Sequence, residues 1–205
     1  PATVKNDSST IYADGNISIK TKEEGQVASI ENTGIIETAK GFYLKAALIL
    51  NTNLFRSQET MDIEAGNLGI TNKGYIEANT NLVLSSQDTL TNEGIIKAYT
   101  EANILADEDI VNDSGTIQAN TDLTIQSNNG NITNQNQGFI YSNAGLNIIA
   151  EKDIINEASD ILAIGLLKIK STTGKIINRA KDSIAGLIQT TDQLDMEAGS
   201  NLENT

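Results

Sequence analysis

"ITNKGYIEANTNLVLSS", residues 70–86, contains three short alternating segments separated by two corners. Ile70-Thr71-Asn72 runs apolar, polar, Asn, and Lys73-Gly74 makes a corner. Tyr75-Ile76-Glu77-Ala78 alternates again, and Asn79-Thr80-Asn81 makes the next corner. Leu82-Val83-Leu84-Ser85-Ser86 closes the unit. Side chains alternating with period two mark strands with one buried face, and no stretch sustains the 3.6-residue period of a helix. Each segment is too short to bury its apolar face alone.

The pattern continues in both directions. Ile76, Ala78, Leu82, Leu84 and Ser86 define an 11-residue frame: apolar, x, small, three turn residues, apolar, x, apolar, x, small. It recurs in nine copies, from Ile11, Ala13, Ile17, Ile19 and Thr21 to Ile188, Thr190, Leu194, Met196 and Ala198. Two copies are nearly the same text: "NDSSTIYADGNISIKT" (6–21) and "NDSGTIQANTDLTIQS" (112–127) agree at 7 of 16 positions. Between frames sits an apolar residue, any residue, then Asn. This places Asn6, Asn32, Asn51, Asn72, Asn92, Asn112, Asn134, Asn156, Asn178 and Asn204 at successive spacings of 26, 19, 21, 20, 20, 22, 22, 22 and 26 residues.

A period of about 20 residues holding three short strands predicts one turn of a solenoid per repeat, each strand pairing in parallel with its equivalents above and below. The fold expected is all-β: a right-handed parallel β-helix of 20–22 residues per coil and nine to ten coils, filling residues 1–205 as a single repeat segment. At about 4.8 Å per coil the rod is on the order of 45 Å long. The recurrent Asn is expected to stack as a structural ladder. Gly34, Gly74 and Gly94, two residues after a ladder Asn, are read as positive-φ corners, with Asn53 in the same slot.

Composition sets outer limits. The core must be built from Ile, Leu, Ala and small polar residues, because aromatics are 4% and Trp is absent. Lys plus Arg number 14 against 27 Asp plus Glu, a net charge of -13, which disfavours nucleic acid as a partner. No run approaches the ~18 apolar residues of a membrane span, so membrane insertion is not expected.

On these residues a family resemblance emerges. Units such as "ITNKGYIEANTNLVLSS" and "LTIQSNNGNITNQNQGFIYSNAGLNIIA" (123–150) resemble the filamentous-haemagglutinin repeats of large two-partner-secretion exoproteins of Gram-negative bacteria, a class that includes adhesins and contact-dependent growth inhibition proteins. The resemblance covers essentially the whole chain. It implies export through an outer-membrane transporter that reads a region outside these residues. It also implies a cell-surface location, a role as filament or stalk, and a host or target-cell receptor as partner. The chain begins inside one repeat at Val4/Asn6 and stops inside another at Leu202/Asn204, so it reads as an internal stretch of a longer protein.

The chemistry inventory is short. With no His and no Cys, imidazole bases, thiolate nucleophiles and His or Cys metal sites are excluded, and no glycine-rich phosphate loop occurs. No catalytic residue, cofactor or metal site is expected. Asp107, Glu108 and Asp109, with Asn131 and Asp153 in the following loops, read as a solvated acidic corner in preference to a cation site. The alternative reading is a carbohydrate-binding or carbohydrate-cleaving β-helix, although the short loops leave no groove walled for cleavage. The outward Tyr12, Tyr43, Tyr75, Tyr99 and Tyr141 fall in different slots of the frame and read as scattered. The longest interruption near the C-terminal end, "RAKDSIAG" (179–186), is an added loop. It is expected either to lay Ile184 over the outward Ile155 and Ile177, or to form a contact surface in which Arg179 and Lys181 make a positive spot.

Overall fold

The computed structural model describes residues 3–21 and 28–205. The chain is a parallel β-helix whose described residues include no helix. Among the described residues 28 strands form three sheets of ten, nine and nine strands, and every third strand in sequence joins the same sheet. The first sheet runs from Thr3–Asn6 to Leu202–Asn204, the second from Thr10–Ala13 to Leu187–Thr190, the third from Ile17–Lys20 to Leu194–Ala198. All strand pairings between coils are parallel and in register, so like stacks on like: Ile70 lies between Ile49 and Leu90, Ile76 between Phe55 and Ile96, Leu84 between Ile63 and Ile104.

The pleat explains the frame. In the first sheet Ile70 and Asn72 point inward and Thr71 outward; in the third, Leu82, Leu84 and Ser86 point inward. Inward Ile and Leu columns from all three sheets meet in one continuous core. Each fully buried Ile or Leu contributes about 1.5–3 kcal/mol relative to exposure, so a coil with several of them repays the ordering of its short strands only when neighbours cover both sides. Aromatic rings enter the core at one place, where Phe42 and Phe55 meet edge to face with centroids 5.6 Å apart. Strand ends carry Ala, Ser or Thr because the chain turns there; Ser57 and Ser142 use the space to donate to the carbonyls of Thr60 and Gly145, each at 2.9 Å.

The corner glycines correct the sequence reading. Gly34, Gly74 and Gly94 do not have left-handed φ, and neither does Asn53. Glycine is required there by proximity: a Cβ on Gly74 would sit 2.0 Å from the Asn53 carbonyl oxygen, and one on Gly94 2.1 Å from that of Gly74. Left-handed φ belongs instead to residues inserted into longer corners. Ser8, Ser114, Asn136 and Ala158, each two residues after a ladder Asn, all have φ between 48° and 59°. Where the corner is two residues long, none is needed.

Candidate functional site

The ladder Asn column lines the inner edge of the first sheet. Each side-chain Nδ2 donates to the Oδ1 of the next coil's Asn at 2.7–2.9 Å, from Asn6 to Asn32 through to Asn178 to Asn204. The second Nδ2 hydrogen serves backbone carbonyls: Asn51 reaches Asn53 O at 3.2 Å and Tyr75 O at 2.9 Å. Only an NH2 group can satisfy those carbonyls, so the amide orientation is fixed all along the column. Asn32 to Asn156 are buried, which makes the column structural rather than a surface for ligands.

The acidic corner is committed to the backbone. Asp109 Oδ1 accepts from the Asn131 N–H at 2.7 Å, Asn131 Oδ1 from the Asp153 N–H at 3.1 Å, and Asp153 Oδ1 from the Lys175 N–H at 2.8 Å. This is a second ladder, with each side chain capping the coil above it. Asp107 accepts from Asn128 Nδ2 at 2.9 Å. Among the described residues no cluster of acidic side chains has the geometry to hold a metal ion.

The added loop contains a tight hairpin. Lys181 and Ile184 exchange backbone hydrogen bonds at 3.0 and 2.9 Å around Asp182 and Ser183, both with positive φ, the requirement of a type I′ turn. Ile184 remains 41% exposed. Charge ties the loop to the rod: Glu157 accepts from Arg179 at 2.6 Å and from Lys181 at 3.0 Å, and Lys181 also donates to Asn136 at 3.1 Å. The expected positive spot is therefore partly cancelled. Lys181 and Arg179 hold the Glu157 carboxyl below its usual range, and hydrogen bonds from Asn136 and Gln135 do the same for Asp113.

The tyrosines are less scattered than their sequence slots imply. Tyr12, Tyr75 and Tyr141 all lie on the outer face of the second sheet, Tyr141 stacked on Phe139 with centroids 5.7 Å apart and planes at 17°. Tyr43 is on the third sheet, its hydroxyl donating to Glu64 at 2.9 Å, and Tyr99 sits at a corner under the Lys97 ammonium. Phe139 escaped the sequence reading because the frame begins one residue after it. Following the strand register back by that residue would have exposed the column Leu54, Tyr75, Ile95, Thr116, Phe139.

Comparison with protein-family models, curated proteins and solved structures finds no match.

Proposed function

We propose that this chain is a non-enzymatic structural rod: a stalk or interaction segment of a secreted, cell-surface exoprotein of the filamentous-haemagglutinin type, exported through a dedicated outer-membrane transporter. The observation that carries this reading is the in-register stacking of coils along a buried Asn ladder, which gives stiffness along one axis. Repeat proteins of this kind resist bending because each coil is bonded to both neighbours over its whole circumference. Loops stay short in most coils, so chemistry is subordinate to length and surface. Adhesion or delivery of a toxin at a distance from the cell both need such a spacer. The polypeptide's acidic surface keeps parallel rods apart in solution.

The test is location. Intact cells of the source organism are labelled with an antibody against this segment, before and after deletion of the partner transporter. Surface label that disappears with the transporter supports the reading. Protein found in the cytosol alone, in cells that express it, overturns it.

A further inference from the structure

The outer face of the second sheet has a feature that a spacer does not need. Across the strands Tyr75–Ala78, Ile95–Ala98, Thr116–Ala119 and Phe139–Ser142 runs an open trough of about 470 Å³. Tyr75 forms one end wall, 52% exposed, and Phe139, braced by the stacked Tyr141 ring, forms the other. Three strand spacings separate the walls, about 14 Å. Ile95 and Thr116 lie between them as a low floor. Alongside runs a polar row, Arg56, Glu77, Lys97 and Gln118, in the neighbouring outward column.

We propose that this trough binds a neutral glycan, with sugar rings laid face-down between Tyr75 and Phe139. A pyranose has an apolar C–H face and a rim of hydroxyls; the trough offers aromatic and β-branched surface below and hydrogen-bonding groups along one side, the division of labour typical of small-ligand sites. The polar row is already ordered. Arg56 Nε donates to Glu77 at 2.9 Å and its guanidinium also faces Glu37 at 3.8 Å, while the Lys97 ammonium rests 4.0 Å from the Tyr99 ring centroid. Groups held in place lose little freedom on binding.

The same contacts select against other occupants. Both cations are engaged within the protein and the chain carries a net charge of -13, so a polyanionic glycan is repelled. A peptide that docks as a strand needs an open sheet edge. Here each strand is hydrogen-bonded on both sides, so the trough presents no backbone edge. The site does not depend on where the protein acts: a rod confined to the cytosol that still bound sugar would defeat the proposed function and leave this inference standing.

The experiment is titration calorimetry of the purified chain with four hexasaccharides: a β1,4-glucan, a chitin fragment, an α-mannan and a hyaluronate fragment. At least one of the first three is expected to bind, with hyaluronate weaker. Tyr75→Ala and Phe139→Ala should each weaken that binding at least tenfold, whereas Tyr43→Ala, a control on the third sheet, should change it less than twofold. All three substitutions fall on partly or fully exposed side chains, and circular dichroism verifies that the β-helix is retained. Binding by none of the neutral sugars overturns the proposal, as does tighter binding of hyaluronate or equal affinity of the Tyr75 and Phe139 variants and the parent protein.

Discussion

Asn92 Nδ2 donates to Asn112 Oδ1 at 2.7 Å, and both side chains are shut off from solvent. Asn112 in turn donates to Asn134 Oδ1 at 2.8 Å and to the Gly115 carbonyl at 2.9 Å. Asn112→Ala therefore strands one Nδ2 hydrogen of Asn92 and the Oδ1 of Asn134, while the Gly115 carbonyl keeps the Phe139 N–H. Each buried unsatisfied group costs about 1–3 kcal/mol. Asn112→Asp should be worse, because it sets a carboxylate oxygen against Asn134 Oδ1 in a site without water. Asn204→Ala, at an exposed rung, is the control. Guanidinium unfolding should rank the variants parent ≈ Asn204→Ala, then Asn112→Ala, then Asn112→Asp; an Asn112→Ala midpoint equal to the parent's would remove the ladder from the list of forces holding the coils.

Glycine at the corners is needed for space rather than for φ, and that distinction can be measured. Gly74→Ala puts a methyl carbon 2.0 Å from a backbone oxygen that has nowhere to go. Overpacking of this kind typically costs 1–3 kcal/mol. Gly15, where a Cβ meets nothing within 4 Å, should accept Ala without loss. Thermal unfolding of the two variants side by side decides the matter, and equal melting temperatures would refute the close-approach explanation.

Acid should loosen the added loop before the rod. Glu157 is held below its ordinary value of 4.5 by Lys181 first and Arg179 next. A carboxyl with a depressed folded pKa binds fewer protons folded than unfolded. Its contribution is thus complete above the ordinary value and is lost as pH falls through the folded one. Amide exchange of Ala180, Lys181 and Ile184, whose N–H groups are hydrogen-bonded, corrected for the intrinsic pH dependence of exchange, should be slow at pH 7 and accelerate below about pH 4. In Glu157→Gln it should be fast already at pH 7. A loop whose corrected exchange ignores both pH and the substitution is not clamped by charge.

Removing residues 180–185 leaves Asn178-Arg179-Gly186-Leu187, the same corner as Asn72-Lys73-Gly74-Tyr75. Exposed ion pairs are worth about 0–1 kcal/mol, so the shortened chain should keep its fold and unfold within ~1 kcal/mol of the parent. A loss of several kcal/mol would mean that the loop shields core residues.

Strand identity, sheet membership and register were legible in the spacing of Ile76, Ala78, Leu82, Leu84 and Ser86, because a period of two sorts inward from outward and a period near 20 stacks equivalents. Asn72 and its equivalents were legible as a column for the same reason. What stayed hidden depends on distances across coils. Whether Gly74 is there for its φ or for lack of room is decided by the Asn53 carbonyl, 21 residues back in sequence. The fate of Arg179 was decided by Glu157, its register partner in the first sheet, which a coil-by-coil reading of the loop did not consult. The aromatic trough was missed because Tyr75 and Phe139 sit just ahead of the frame, where no apolar periodicity draws notice.

The Asn column has one further property, which is direction. All nine side-chain amides donate toward the C-terminal coils and none donates back. Their dipoles add head to tail, as peptide dipoles do along a helix, and neighbours polarise one another in a site that water does not reach. The column is therefore electrically polar, positive toward Asn204 and negative toward Asn6. A coil presented upside down would bring NH2 against NH2 or oxygen against oxygen at the first rung. The ladder works as a one-way thread: it admits a further coil only in the sense in which the chain is already winding.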